Sequence, residues 1–497
     1  MLDPIMQAGR AVPIVRAGDK RLLPGWSKAK HGSGEESMGQ EDTKSLPAYW
    51  SWFKESRYGA FIHWGPYAQY ARGEQILFRE HMDHREYAEA ACRWNPQHWD
   101  PELWAYTIRK AGMKYACFTT RHHDGYCMWD SQYTNYSSAK QAPGRDFVAD
   151  FVRAFRAEGL RVGLYYSWLD WRIPAYFDGP EKDPEGWREM RDYCHHQVLE
   201  LLSGYGRIDH FFFDGAWPRT HRELRSLELV QQMRELQPHI LINNRLGVAE
   251  ELQGAHADGG GGAGERDDLG DFGTPEHRIA EDPNRLWESC QVTTSRLWGY
   301  AAGERWRSAE QWLDMLCECA ETGSSGGGNL LLNVGPQPDG QLPAEFVERA
   351  LEVGSWLDVH GEAIYGTDGG SLTEFVTRGR QTRKGCSLYL IIRFWDGRPE
   401  MLLRDLPTEV AGVTLLTTGQ TLPYRQNGDI LTIFGLPKER PTRLFPVIRV
   451  EFTEPPQTTV WGRERLWQGD PSRIADWART RGTSVYADGE PGKGSQR

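Results

Sequence analysis

The chain has 497 residues and a formal net charge of −11 at pH 7, from 58 Lys and Arg against 69 Asp and Glu. Its 39% hydrophobic and 26% charged residues are typical of a globular protein and exclude a disordered or fibrous chain. The length predicts one large domain and a smaller second one. Because an acidic protein repels a polyanion, we expect no nucleic-acid partner. No stretch approaches the roughly 20 apolar residues of a membrane span, so we expect no membrane partner.

Aromatic residues are unusually common, at 12% of the chain with 21 Trp. Most of these side chains are expected in the core. Flat apolar rings that carry a hydrogen-bonding group also suit sugar rings, which combine C–H patches with hydroxyls. The composition therefore gives a weak indication of a carbohydrate ligand.

The first residues lack the features of a secretory signal. Residues 1–21 contain no continuous apolar segment and are interrupted by Asp3, Pro4, Arg10 and Pro13. The eight cysteines are scattered, form no Cys-x-x-Cys pair, and several lie in apolar runs. Buried, reduced thiols explain that pattern better than disulfides do. We therefore predict a cytoplasmic location.

The first two thirds of the chain alternate between short apolar runs and amphipathic helical stretches. Residues 1–45 are polar and are predicted to form an arm. The apolar runs then lie at 60–64, 114–120, 161–166, 210–213, 239–243, 285–287 and 329–334. Their nearly continuous apolar character is typical of parallel strands buried on both faces, and Ser308 and Gln311 have the capping-box spacing that opens a helix. About seven strand–helix alternations predict an α/β protein with a (β/α)8-like TIM barrel catalytic domain over 46–368.

The pattern changes after about Gly369. Short strand-like runs with turn residues between them cover 387–394, 412–416, 427–433 and 444–450, and Asn427-Gly428 is a strong hairpin signal. We predict a C-terminal antiparallel β-sandwich over 369–455. Residues 456–497 are charged and turn-rich and are predicted to form an extension.

The glycine-rich segment 259–264 matches the Gly-x-Gly-x-x-Gly pattern of dinucleotide-binding sites. A dinucleotide site requires an apolar strand before the glycines and a helix after them, and the sequence shows neither. We interpret the segment as a flexible surface insertion.

Chemically active side chains follow the predicted strands. In a (β/α) barrel, loops at the carboxyl ends of the strands converge on the barrel axis, so the residues there are the candidates for chemistry. They are His63, His122, His123, Asp124, Tyr165, Trp168, Asp214, Arg245, the segment 271–276 and Glu288. Asp214 follows three phenylalanines, and an ionised carboxylate delivered directly off a buried strand is costly without a partner. A functional role for Asp214 is therefore favoured over capping of the next helix.

The adjacent pair His122-His123 is open to several interpretations. Neighbours on an extended segment point to opposite sides, so they rarely ligate one metal ion, and the first strand has no His-x-His pair of the kind found in barrel metallohydrolases. Hydrogen bonding to a ligand is favoured over metal ligation and over a structural role. Arg245 either binds a carboxylate, orients Asp214 or forms a salt bridge at the barrel mouth.

Several short motifs occur together between Trp52 and about Gly340. They are YGAFIHWG at 58–65, AGMKY at 111–115, TTRHHDGY at 119–126, GLYYS at 163–167, FDG at 213–215, WGY at 298–300 and GNLLLNVGP at 328–336. In this combination the chain resembles the α-L-fucosidases of glycoside hydrolase family 29. One of the motifs alone would not be specific.

The resemblance implies a retaining exo-glycosidase with a catalytic (β/α) barrel and a C-terminal β-sandwich. It implies a fucosylated glycan or glycoside as substrate, and neither a metal nor an organic cofactor. Asp214 matches the nucleophile, and Arg245 matches an arginine near it. Positions that hold fucose hydroxyls match His63, Glu74, His122, His123 and Tyr165. Retention requires two carboxyl groups roughly 5–5.5 Å apart, one ionised for attack and one protonated to release the leaving oxygen.

The acid/base segment varies within that family, and three carboxylates compete for the role. Glu276, in the sequence GTPEH, matches best, since a residue on a loop can reach the glycosidic oxygen. Glu288, in the sequence WESC, is the alternative, and Asp271 comes third.

Two residues depart from the family pattern. Phe212 lies near a position often filled by Trp, and Asn244 replaces the more usual Asp before the arginine. These departures affect sugar stacking and local hydrogen bonding rather than the nucleophile. Two other functions stay open: a glycosidase of the same fold that acts on a related L-galacto-configured sugar, and a non-catalytic sugar-binding protein. The surplus of Trp and the additional C-terminal residues predict a homo-oligomer.

Overall fold

Eight parallel strands form a closed barrel. The computed structural model describes residues 48–248, 270–282, 285–322, 327–373, 375 and 378–459. The strands are β1 (Tyr58–Ile62), β2 (Tyr115–Arg121), β3 (Arg161–Ser167), β4 (His210–Asp214), β5 (Leu241–Ile242), β6 (Phe272–Gly273), β7 (Leu286–Val292) and β8 (Asn329–Val334). Neighbours in the barrel follow chain order, β1 pairs with β8, and a parallel bridge between Asn243 and Phe272 joins β5 to β6. The predicted (β/α)8-like TIM barrel is confirmed.

Helices cover the outside of the barrel. They are α1 (Ser51–Ser56), α2 (Ile76–Arg79), α3 (His84–Arg93), α4 (Pro101–Lys110), α5 (Phe147–Ala157), α6 (Pro174–Lys182), α7 (Pro184–Gly204), α8 (His221–Leu224), α9 (Ser226–Leu236), α10 (Ala309–Glu321) and α11 (Ala344–His360). Short 3₁₀ turns occupy Ala48–Trp50, Pro66–Tyr70 and Gly361–Ala363. The capping box predicted from Ser308 and Gln311 is present at the start of α10. Between β6 and β7, the described residues 274–282 and 285 contain no helix.

The sequence predicted seven barrel strands, and the eighth is β6. This strand has only two residues and lies in the segment 271–276, which was expected only to carry polar groups at a strand end. Backbone hydrogen bonds from Asp271 to Ile242 and from Asn244 to Phe272 hold it against β5. A two-residue strand leaves no apolar run in the sequence, so periodicity could not reveal it.

Every barrel strand contributes a buried side chain to one cluster inside the barrel. The cluster includes Phe61, Cys117, Tyr165, Phe212, Leu241, Phe272, Cys290 and Leu331. Because side chains alternate across a strand, residues two positions further along point the same way, which places His63 and Asp214 above Phe61 and Phe212. At the opposite end, Trp52 and Phe53 of α1 pack against the ring of Tyr115 and close the barrel. The interior is therefore accessible from the carboxyl end of the strands.

Two antiparallel sheets follow the barrel and enclose a second apolar core. Their strands are β9 (Gly379–Lys384), β10 (Ser387–Ile392), β11 (Glu400–Leu403), β12 (Val410–Leu415), β13 (Gln420–Thr421), β14 (Tyr424–Asn427), β15 (Ile430–Phe434) and β16 (Val447–Phe452). One sheet has the order β13-β12-β16-β10-β9 and the other β11-β15-β14. Asn427 pairs with Ile430 across the hairpin predicted at Asn427-Gly428, where Gly428 has a φ of +60°. The predicted C-terminal antiparallel β-sandwich is confirmed.

Several predictions fall on residues outside the described ranges. These are the arm at 1–45, the glycine-rich segment at 259–264 and the extension at 456–497 apart from 456–459. The exact domain limits stay predictions. None of the described helices has the length and apolar character needed to cross a membrane. All eight cysteines are free thiols, six of them buried, with Cys92 partly buried and Cys386 exposed.

Candidate active site

Asp214 ends β4, and its carboxylate lies at the open end of the barrel with the residue 9% exposed. Its Oδ2 accepts a 2.8 Å hydrogen bond from the Tyr165 hydroxyl, and its Oδ1 accepts a 2.9 Å hydrogen bond from Nη1 of Arg245. Nε2 of His123 lies 3.8 Å from Oδ2. Burial alone would raise the pKa of Asp214, but the charge of Arg245 and the hydrogen bonds from Arg245 and Tyr165 outweigh it and hold that pKa below its usual value. Asp214 is therefore kept ionised although it is almost completely buried.

Glu276 follows β6 on a segment that pairs with β7 through Cys290. Nη2 of Arg245 donates a 2.8 Å hydrogen bond to Oε2 of Glu276, so one guanidinium links Glu276 to Asp214. Burial raises the pKa of Glu276 above its usual value, and the nearby Asp214 carboxylate adds to this effect while Arg245 opposes it. The pKa values of the two carboxyl groups are thus pushed in opposite directions. Such a split distinguishes a proton donor from an ionised nucleophile.

Arg245 is fixed from three sides. Its Nε donates a 3.0 Å hydrogen bond to the Thr274 hydroxyl, which donates in turn to Oδ1 of Asn244 at 3.1 Å. The Phe212 ring centroid lies 5.1 Å from the guanidinium carbon. The two residues that depart from the family pattern, Phe212 and Asn244, therefore both help to position this arginine.

His63 is a neutral imidazole with a defined tautomer. Its Nδ1 lies 2.7 Å from Oδ1 of Asn333, whose Nδ2 donates to the Trp298 carbonyl at 2.7 Å. An amide oxygen can only accept, so His63 carries its proton on Nδ1 and Nε2 is left as an acceptor. Burial lowers the pKa of His63 to about 3. This side chain is suited to accept a hydrogen bond from a sugar hydroxyl.

The neighbours His122 and His123 are also neutral. Nδ1 of His123 lies 2.6 Å from the Ser167 hydroxyl, which itself donates to a backbone carbonyl, so His123 carries its proton on Nδ1. Burial lowers the pKa of His123 to about 4 and places that of His122 well below its usual value. The His122 ring stacks on Tyr165 with centroids 5.6 Å apart and an interplanar angle of 7°. Within the described ranges, no group of three or more His, Cys, Asp and Glu side chains is placed to hold a metal ion.

Glu74 lies in the loop after β1 and is 2% exposed. Its Oε2 accepts hydrogen bonds from the backbone N–H groups of Trp298 at 3.1 Å and Gly299 at 2.8 Å. The Trp298 ring packs against His63 with centroids 5.1 Å apart. Glu74 therefore holds the loop that brings Trp298 to the site. Trp298 lies in the WGY motif, but its role could not be predicted from the sequence because an aromatic residue on a long loop carries no periodic signal.

The other two carboxylates considered for the acid/base role lie elsewhere. Glu288 points into the barrel from β7 and bonds with His210 and Tyr115 near the amino ends of the strands. Both carboxylate oxygens of Asp271 accept a 2.6 Å hydrogen bond from Nη2 of Arg234. Of the three candidates, the structure brings only Glu276 to Asp214.

Comparison with known proteins agrees with this geometry. The model of the alpha-L-fucosidase family matches residues 27–362, which is more than half of the chain. The chain belongs to the alpha-L-fucosidase family. Tissue alpha-L-fucosidase of Bos taurus is 29% identical over 429 residues, which cover 81% of this chain and 87% of that protein. The family is glycoside hydrolase family 29, and the recognition made from the motifs is confirmed.

Solved structures of the family share the fold. Alpha-L-fucosidase isoenzyme 1 from Paenibacillus thiaminolyticus is 33% identical, with a TM-score of 0.72 over 82% of this chain and 99% of that one. A family 29 α-L-fucosidase from Bacteroides thetaiotaomicron, 25% identical, has been trapped as a covalent intermediate with 2-fluoro-fucosyl fluoride. Its TM-score is 0.72 over 83% of this chain and 98% of that one.

Proposed function

We propose that this chain is a retaining exo-α-L-fucosidase in which Asp214 is the nucleophile and Glu276 the general acid and base. The observation that carries the proposal is the Arg245 guanidinium, which binds one oxygen of Asp214 and one of Glu276. A retaining glycosidase needs two carboxyl groups close together, roughly 5–5.5 Å apart, and here both groups bind the same guanidinium, at 2.9 Å for Asp214 and 2.8 Å for Glu276. The opposite pKa shifts of the two groups supply one base and one acid.

The reaction follows from these protonation states. A carboxylate oxygen of Asp214 attacks the anomeric carbon while the protonated Glu276 gives its proton to the glycosidic oxygen, and the leaving alcohol departs. Glu276, now ionised, then takes a proton from water as that water attacks the anomeric carbon. The bond to Asp214 breaks, fucose is released with its anomeric configuration retained, and both carboxyl groups return to their starting states. Arg245 and Tyr165 donate hydrogen bonds to Asp214 throughout, which stabilises the leaving carboxylate in the second step.

The surrounding side chains support binding of a single terminal sugar. His63 and His123 each present Nε2 as a hydrogen-bond acceptor, and the Glu74 carboxylate is a further acceptor behind Trp298. Three acceptors suit a sugar whose hydroxyls act as donors. Trp298 supplies an apolar ring beside them. These residues are almost completely buried at the end of the barrel, which favours a chain end over the middle of a glycan as the part of the substrate that is bound.

Covalent labelling tests the proposal. Incubation with 2-deoxy-2-fluoro-α-L-fucosyl fluoride should give a fucosyl ester that peptide mapping places on Asp214. Asp214→Gly should remain unlabelled, whereas Asp178→Asn, which changes an exposed aspartate of α6, should be labelled like the unmodified chain. An adduct on any other residue, or an inverted first product in an NMR time course, would show that the mechanism is wrong.

Substrate identity requires a separate comparison. Hydrolysis of paired aryl α-L-fucoside and α-L-galactoside substrates distinguishes a fucosidase from an enzyme for L-galacto-configured sugars. Failure to hydrolyse either, together with binding of free fucose, would instead indicate a non-catalytic sugar-binding protein. The cytoplasmic location and the homo-oligomer stay predictions. Size-exclusion chromatography with light scattering measures the oligomeric state.

A further inference from the structure

An exposed aromatic stack adjoins the candidate active site. Phe78 is 58% exposed, and its ring stacks on the partly buried Trp171 with centroids 5.6 Å apart and an interplanar angle of 14°. Trp171 in turn meets the His123 ring edge-on at 5.3 Å, and its backbone N–H donates to the His123 carbonyl. His123 is the histidine whose Nε2 lies 3.8 Å from Asp214. The rings therefore form a continuous path from the exposed surface to the nucleophile.

Packing beneath Phe78 holds its ring outward. Phe78 belongs to the short helix α2, in which Ile76 and Leu77 are each only 2% exposed. Two residues before this helix, Glu74 is anchored by the backbone of Trp298 and Gly299. Turning Phe78 inward would bring Ile76 or Leu77 to the surface and expose apolar area to water, which is unfavourable. The exposure of the ring is therefore built into the local fold.

Single exposed aromatic residues are ordinary on protein surfaces and do not by themselves indicate a site. Phe177, for example, is 51% exposed, and the ring it contacts is that of Tyr176 in the same helix. Phe78 differs because its ring is joined through Trp171 to a residue beside the nucleophile. Phe177 therefore serves as a matched control.

We propose that Phe78 and Trp171 bind the leaving sugar, the pyranose ring to which the terminal fucose is attached. The inference rests on the proposed function, because it gives the stack its role only next to a fucose-cleaving site. An aromatic face suits the C–H face of a pyranose, whose hydroxyls stay in water at the ring edge. Binding of this remote, non-reacting ring can be used to lower the barrier for cleavage. The preferred substrate class is therefore an oligosaccharide rather than a fucose derivative without a second ring.

The test compares two substrates in three variants. The first substrate is the fucosyl disaccharide that the unmodified chain cleaves fastest among the α1,2-, α1,3-, α1,4- and α1,6-linked forms. The second is α-L-fucosyl fluoride, which has no second ring. Phe78→Ala should lower kcat/KM for the disaccharide about tenfold, the equivalent of about 1.4 kcal/mol, and leave kcat/KM for the fluoride unchanged. Phe78→Trp should keep the preference for the disaccharide, and Phe177→Ala should change neither substrate.

Equal losses on both substrates in Phe78→Ala, or no loss on either, would overturn the inference. Calorimetry with the disaccharide provides a readout that does not depend on turnover. In the Asp214→Ala background, adding Phe78→Ala should weaken disaccharide binding while leaving the affinity for free L-fucose unchanged; equal affinities for the disaccharide would contradict the inference. If the unmodified chain releases fucose from neither substrate, the proposed function is wrong, and the binding experiment still decides the role of the stack.

Discussion

Oε1 of Glu288 lies 2.8 Å from Nε2 of His210, and both side chains are completely buried. Oε2 of Glu288 accepts a further 2.7 Å hydrogen bond from the Tyr115 hydroxyl. His210 begins β4 and Asp214 ends it, so at about 3.3 Å per residue the histidine that binds Glu288 lies roughly 13 Å from the nucleophile along the strand. Glu288 therefore satisfies polar groups inside the barrel and is too far away to protonate a sugar bound at Asp214.

The first prediction separates the two glutamates by what their substitution changes. Glu276→Gln should lower kcat/KM on a natural glycoside at least 100-fold, because general acid catalysis is worth about 10²–10⁴-fold, and should leave the melting temperature nearly unchanged. Glu288→Gln should lower the free energy of unfolding, because it removes a charge from a buried hydrogen-bonded pair, while the turnover of the folded protein is kept. Thermal unfolding and steady-state kinetics on both variants check this. The opposite pattern would assign the acid/base role to Glu288.

The second prediction concerns the shared guanidinium. Arg245→Lys keeps a positive charge but cannot bind two carboxylates with a planar fork. We expect kcat/KM to fall about 100-fold, equivalent to about 2.7 kcal/mol of transition-state stabilisation. Arg380→Lys, which changes an arginine that pairs with Glu318 and Glu321 between the barrel and the sandwich, should leave kcat/KM unchanged. Similar losses in both variants would mean that Arg245 acts only through stability.

The third prediction is the pH dependence of the reaction. Asp214 must be ionised and has a lowered pKa, whereas Glu276 must be protonated and has a raised pKa. We expect kcat/KM to fall at low pH as Asp214 takes up a proton and at high pH as Glu276 loses one, giving a bell-shaped profile. With a dinitrophenyl fucoside, whose leaving group needs no proton, Glu276→Ala should keep the acidic limb and lose the alkaline one. An alkaline limb that persists in this variant would belong to another group.

The sequence predicted the barrel, the sandwich and Asp214 because each depends on a local signal. Buried parallel strands are continuous apolar runs, and Asp214 follows such a run directly. The bond between His63 and Asn333 joins residues 270 positions apart in the chain, and no local pattern encodes it. The same holds for Glu74, which was expected to bind sugar and which the structure also shows bound to the backbone of Trp298.

The choice among the acid/base candidates shows the same limit. Glu276, Glu288 and Asp271 are all carboxylates near strand ends in the sequence. Which of them meets Asp214 depends on the two-residue strand β6 and on the direction in which each side chain leaves the barrel wall. Neither property can be predicted from the composition or from the spacing of residues in the sequence.

The fourth prediction concerns the tautomer of His63. Asn333→Ala removes the acceptor that holds the proton on Nδ1, so Nε2 would no longer be fixed as an acceptor for a sugar hydroxyl. We expect KM to rise about tenfold, the equivalent of about 1.4 kcal/mol of binding. Asn329→Ala is the matched control, since Asn329 lies on the same strand but bonds to Phe53 and Tyr115 near the other end of the barrel. That control should lower stability without changing KM, and an equal rise of KM in both variants would argue against a role for the His63 tautomer.

The fifth prediction concerns the buried ion pair of Arg121, the residue that directly precedes His122 and His123. Asp170 binds Arg121, whose side chain is fully buried, and also Arg172. Burial alone would raise the pKa of Asp170, but the two arginines outweigh it and place the pKa well below its usual value. The stability that this pair contributes is therefore present above the pKa of an unfolded aspartate, about 3.9, and is lost as the pH falls further.

Asp170→Asn should therefore cost about 3–5 kcal/mol at pH 7, because it leaves Arg121 buried without a full counter-charge. The difference in the free energy of unfolding between this variant and the unmodified chain should shrink as the pH is lowered below about 4. Chemical unfolding followed by tryptophan fluorescence at pH 7, 5 and 3 measures both effects. Asp178→Asn, at an exposed aspartate that lies 3.9 Å from Lys182, should change stability by less than about 1 kcal/mol at every pH. A pH-independent loss in Asp170→Asn would mean that packing, and not the ionised carboxylate, provides the stability.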